Sequence, residues 1–178
     1  MSITRNTCAI LTGLFALISV AHANTSVIGL EIGKSTIEDV KSKYKIEYSD
    51  TNTFDWGSSH IIDSSAINIE GLNKVYVFLK KDDGKVGSVV MLFDKSRSRF
   101  DELADSLQKK YKVTSSKRPR VGDAHVHLQD GNTLIELEAP HMSFMMTLAY
   151  VDKNVREAAE RKSNQEAQLK KQAEEDLL

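Results

Sequence analysis

The sequence predicts an α+β fold with a mostly antiparallel sheet and a charged C-terminal helix. Three observations carry this expectation: two segments with helical spacing of apolar residues, several segments alternating with period two, and Gly- or Asn-bearing turns between the alternating segments. The first helix opens at Ser35, which begins a capping box with Glu38, and places Ile37, Val40 and Tyr44 on one face. A second helix aligns Phe100, Leu103, Ala104, Leu107 and Tyr111, with Ser98 as its expected cap. Strands are expected over 75–79, 88–93, 124–128, 134–137 and 144–151. Asp83-Gly84 and Asp130-Gly131-Asn132 lie between strands as hairpin turns, because Gly and Asn tolerate the positive φ that such turns need. Connections this short make the neighbouring strands antiparallel.

An internal echo groups these elements. Lys43-Tyr44-Lys45-Ile46 closes the first helix and Lys110-Tyr111-Lys112-Val113 closes the second, each running into a possible strand. Phe93-Asp94-Lys95 and Val151-Asp152-Lys153 close the last strand of each unit. Two helix-plus-meander repeats, 24–95 and 96–152, are therefore expected within one domain spanning 24–152.

The N-terminal 23 residues read as a cleavable secretory signal. Arg5 supplies the positive start, Ala9 to Val20 an apolar stretch shorter than the ~20 residues that span a bilayer, and Ala21-His22-Ala23 the small residues a signal peptidase accepts. Cleavage near Ala23 implies a periplasmic or secreted mature chain. Cys8 precedes the apolar stretch, so it is not the acylated first residue of a lipoprotein. Its loss with the signal leaves a mature chain without disulfides, thiolate metal sites or a cysteine nucleophile. At 40% hydrophobic, 28% charged and net charge −1, the composition is that of a globular domain without the basic excess of a nucleic-acid binder.

Residues 153–178 form a separate segment with six basic and six acidic residues, placed to pair on successive helical turns. Its few apolar residues suggest that Val155, Ala158 and Ala159 dock on the sheet while the remainder projects.

Catalytic signatures are sparse: there is no phosphate loop, nucleophile elbow, His-Glu-x-x-His or dinucleotide fingerprint. His125 and His127 share a strand face and are the only metal-site candidates, with Asp123 and His141 as further ligands. The apolar alternation of Ala124, Val126 and Leu128 instead makes both histidines ordinary polar-side residues, and no metal or cofactor is expected. Trp56 follows Phe54-Asp55, where it serves either as a core plug or as a rigid contact. The alternation of Met142, Phe144, Met145 and Met146 suits strand packing. Between Lys109 and Arg120 the chain holds Lys109, Lys110, Lys112, Lys117, Arg118 and Arg120 without an acidic residue. The lysines before Val113 suit a helix C-terminus, whereas Lys117, Arg118 and Arg120 suit contact with an acidic partner or anionic head groups.

Ile32-Gly33-Lys34-Ser35-Thr36-Ile37-Glu38-Asp39-Val40 resembles the helix opening of BamE/SmpA/OmlA-type envelope proteins, and tandem helix-plus-sheet units resemble the β-lactamase-inhibitor-protein fold. The resemblance implies a small periplasmic module that binds other proteins and carries no active site over to this chain. The expected function is thus a non-enzymatic binding or inhibitory module acting on an envelope or secreted protein. A small periplasmic hydrolase or metal-dependent enzyme, and a structural envelope protein, are the alternatives.

Overall fold

A computed structural model describes residues 25–54 and 57–176; the expected signal segment and Trp56 lie outside the described residues. A short hairpin, β1 (Ser26–Val27) and β2 (Leu30–Glu31), precedes helix α1 (Ile37–Lys43). Four strands follow: β3 (Ile46–Phe54), β4 (Gly57–Ile62), β5 (Leu72–Lys80) and β6 (Val86–Asp94). Helix α2 (Arg97–Gln108) leads into β7 (Lys112–Lys117), β8 (Ala124–Asp130), β9 (Thr133–Ala139) and β10 (Met145–Asp152), and helix α3 (Lys153–Glu175) closes the chain. The α+β class and the antiparallel sheet expected from the sequence are observed. All eight large strands join one sheet in the order β3-β4-β5-β6-β10-β9-β8-β7, with every neighbouring pair antiparallel. The two four-strand meanders meet at β6 and β10, where Phe93 faces Met146 and Val89 faces Tyr150.

One face of this sheet carries the core. Val75, Val77, Val89, Met91, Phe93, Ile135, Leu137 and Leu148 project against Val40 of α1, Phe100, Ala104 and Leu107 of α2, and Leu30 of the hairpin. The hairpin turn holds Ile28 at φ 46°, an unusual conformation for a β-branched residue, and the Tyr44 hydroxyl donates to the Ile28 carbonyl at 2.6 Å. Gly84 and Gly131 adopt positive φ in the turns where glycine was expected.

Both helix caps sit slightly upstream or downstream of their expected positions. At α1 the Thr36 backbone N–H donates to the Asp39 carboxylate at 2.8 Å, while the Ser35 hydroxyl turns inward to accept from Glu31 N–H. At α2 the capping hydroxyl is Ser96, which accepts from Arg99 N–H; Ser98 is already helical and its hydroxyl meets the Ser96 hydroxyl. Ser96 wins because its extended backbone, φ −140° and ψ 140°, aims the hydroxyl at the first turn.

Among the described residues no helix is long and apolar enough to cross a membrane.

Candidate functional site

In a half-solvated antiparallel sheet the outer face should be polar at every second residue. Strands β5, β6 and β10 break that rule: Phe78, Val90, Ala149 and Val151 lie on the face opposite the core. Tyr76 and Phe78 stack on this face, with ring centroids 6.3 Å apart and an interplanar angle of 16°. Apolar surface of this kind needs a cover.

Helix α3 supplies part of one. Val155, Ala158, Ala159 and Lys162 follow helical spacing and are its half-buried residues facing the sheet; beyond Lys162 every described residue is exposed. The docking of Val155, Ala158 and Ala159, with projection of the rest, matches the reading of the sequence. Close approach depends on Gly87, where a Cβ would lie 3.1 Å from Val155 Cγ2 and 2.7 Å from Lys80 Cγ. Between helix and sheet remains a trough of about 920 Å3, open to solvent, floored by Phe78, Val90, Ala149 and Val151. Its volume falls in the range of ligand-binding clefts.

Charged groups moor the helix and rim the trough. Buried Asp152 caps α3 by accepting from Asn154 N–H at 2.9 Å, and also accepts from Asn132 Nδ2 at 2.8 Å. The Lys80 ammonium stands 3.0 Å from Asp83 and 3.8 Å from Asp152. Burial disfavours its charge, but the carboxylates of Asp83, Asp152 and Asp82 more than compensate and hold its pKa above the ordinary lysine value. Arg156 reaches across to Glu136 through Nη2. Its Nε is buried and has no hydrogen-bond acceptor among the described residues, which leaves one donor at the trough unsatisfied.

The other half of the outer face is polar. His125 and His127 stack there with centroids 4.8 Å apart; His125 Nε2 contacts Ser115 Oγ at 3.1 Å and His127 Nε2 contacts Glu138 at 3.0 Å. No group of three His, Cys, Asp or Glu side chains among the described residues converges as a metal site. Asp123 and His141, the proposed extra ligands, meet each other in the end loops, where His141 N–H donates to Asp123.

The six clustered cations lie on three consecutive stretches: the end of α2, strand β7 and the β7–β8 loop. Lys109 and Lys110 follow α2, Lys112 opens β7 and Lys117 ends it; the five steps between Lys112 and Lys117 extend roughly 17 Å. Arg118 turns back to Asp105 at 2.8 Å and Asp101 at 3.8 Å, so it stitches the β7–β8 loop to α2. Lys112 and Lys117 flank an edge strand exposed along its whole length, where lysines discourage edge-to-edge pairing. Met146 packs in the core as expected, but Met142 and Phe144 precede β10 in its loop and are almost fully exposed.

His60 on β4 escaped the sequence reading. It is 6% exposed, its Nδ1 lies 2.8 Å from Ser49 Oγ and its Nε2 lies 2.9 Å from Ser58 Oγ. Burial, then the Lys41 charge, lowers its pKa, which favours neutral imidazole. A hydroxyl beside imidazole is the start of a nucleophile–base pair, but both ring nitrogens here are taken by hydroxyls and none is left for an orienting carboxylate.

Comparison of the chain with protein-family models, curated proteins and solved structures finds no match.

Proposed function

We propose that this chain is a non-enzymatic binding or inhibitory module of the bacterial periplasm, and that it holds a segment of an envelope or secreted protein in the trough beneath α3. The carrying observation is the apolar floor on the outer face of β5, β6 and β10, left partly open by a helix that docks only through its first turns. An open trough with an apolar floor and charged rim suits an amphipathic polypeptide, which buries alternate side chains and keeps its polar edge wet. The unsatisfied Arg156 Nε–H favours a ligand bearing carbonyl oxygens over a purely apolar one. A periplasmic address rests on the expected cleavage near Ala23, and the likeness of residues 32–40 to BamE-type helix openings points to the same compartment.

Replacing Ala149, on the floor, with Trp tests the reading because the side chain fills the trough without touching the core face. Pull-down from envelope extract should recover a stoichiometric partner with the wild-type chain and lose it with Ala149→Trp at unchanged melting temperature. Equal recovery by both chains, or turnover of a model ester or peptide by the wild type, would contradict it.

A further inference from the structure

At the sheet end opposite the start of α3, two loops carry apolar side chains into solvent. Val121 in the β7–β8 loop is 75% exposed; Met142 and Phe144 in the β9–β10 loop are 89% and 92% exposed. Such side chains are usually covered, and three on adjoining loops form a patch. Their presentation is fixed. His141 N–H donates to Asp123 and its Nδ1 accepts from Gly122 N–H, so one loop is bonded to the other. Lys95 Nζ donates to the Pro140 and His141 carbonyls, and the Lys95 backbone N–H donates to the Phe144 carbonyl. Arg97 donates to the Pro119 carbonyl, which ties the first loop to α2.

Cations surround these tips. Lys117 and Arg120 make no ion pair among the described residues, and the charge of Lys95 is met by carbonyls alone. Asp123 is the one acidic residue in the two loops, residues 118–123 and 140–144. Asp101 and Asp105 of the neighbouring α2 are taken up by Arg97 and Arg118.

We infer that this end of the molecule docks on an anionic lipid surface, with Met142, Phe144 and Val121 entering the interface while Lys117 and Arg120 meet the head groups. The combination of exposed apolar side chains and unpaired cations decides between a bilayer and a protein partner. Apolar side chains on adjoining loop tips bury their surface in a fluid interface that closes around them, whereas a protein would need a matched pocket for each. The excess of unpaired cations matches the negative potential of phosphatidylglycerol head groups.

Sedimentation of the secreted form with vesicles of phosphatidylcholine, with and without phosphatidylglycerol, tests the assignment. The wild type should bind the anionic vesicles at low salt and weaken at high salt, because charges at the rim are screened within about 8 Å at physiological ionic strength. Met142→Ser with Phe144→Ser should lower partitioning by at least roughly tenfold, and Lys117→Ser with Arg120→Ser by roughly fivefold or more, both at unchanged melting temperature. In Phe144→Trp, emission beyond that of the native Trp56 should shift to the blue and be quenched by brominated lipid. Failure of the wild type to bind anionic vesicles at low salt, or equal binding by the serine variants, overturns the assignment. Loss of a protein partner by Met142→Ser with Phe144→Ser, with vesicle binding intact, assigns the tips to that partner and likewise overturns it.

Discussion

Removing the Asp152 carboxylate should release α3 from the sheet while leaving the core folded. Asp152→Ala abolishes the N-cap to Asn154, a loss of about 1 kcal/mol, and strands Asn132 Nδ2, whose bond to a carboxylate contributes about 1–2 kcal/mol. The Lys80 contact at 3.8 Å adds little, since Lys80 keeps Asp83 at 3.0 Å. The sum, about 2–3 kcal/mol, converts to roughly a 30- to 150-fold rise in helix opening. Amide hydrogen exchange measures this locally: protection of residues 155–162 should fall by that factor, while amides of β6 and β9 stay within a few-fold of wild type. Asp152→Asn retains a capping oxygen and should recover most of the protection. Unchanged exchange in α3, or a uniform loss across the sheet, would refute the assignment of Asp152 as the mooring of this helix.

Other perturbations have equally definite outcomes. Burial, then the neighbouring Tyr111, raises the Tyr150 phenol well above the ordinary 10.0; the folded chain therefore keeps a proton that the unfolded chain releases, and stability present below pH 10 is lost as pH rises past it. Urea midpoints should fall steeply above pH 10, and Tyr150→Phe should flatten that fall; parallel curves would contradict the burial of this hydroxyl. His60 has the opposite sign, because its depressed pKa gives stability that is full above the ordinary 6.5 and lost as pH drops through the folded value. Its ring resonances should titrate below 6.5 by NMR, with β3–β4 amides losing protection first, and a midpoint at or above 6.5 would refute the buried pairing with Ser49 and Ser58. Phe100→Ala empties a core position and should destabilise the fold by about 3–5 kcal/mol in equilibrium denaturation; a loss under about 1 kcal/mol would show that α2 is not seated on the sheet.

The core was legible where one periodicity ruled. Val75-Tyr76-Val77-Phe78-Leu79 and Ala124 to Leu128 alternate without interruption, and both are strands. Strand β4, Gly57–Ile62, was not legible: Ser58, Ser59 and His60 look like a polar loop until the His60 ring is satisfied by Ser49 across the β3–β4 pair and by Ser58 on its own strand. The cap of α2 could not be chosen between Ser96 and Ser98 from composition, because backbone conformation decides which hydroxyl faces the first turn. The trough was half legible. Val155, Ala158 and Ala159 announced a docking face, but its floor combines outward residues of three strands whose adjacency, β5-β6-β10, joins segments far apart in sequence. The surroundings of the cations between Lys109 and Arg120 could not be read from their spacing, since an extended strand spaces Lys112 from Lys117 and Arg118 returns to the acidic face of α2. Met142 and Phe144 fit an alternating pattern, yet β10 begins only at Met145 because Ser143 N–H bonds back to the Pro140 carbonyl in a turn.

Site-directed photo-crosslinking tests the proposed binding role of the trough most directly. A benzophenone side chain at Ala159, beside the floor of the trough, should crosslink one envelope or secreted protein in intact cells, and the same group at Lys109, after the C-terminal end of α2, should not. Crosslinks from position 109 with none from position 159 would contradict the assignment of the trough as the partner-binding site.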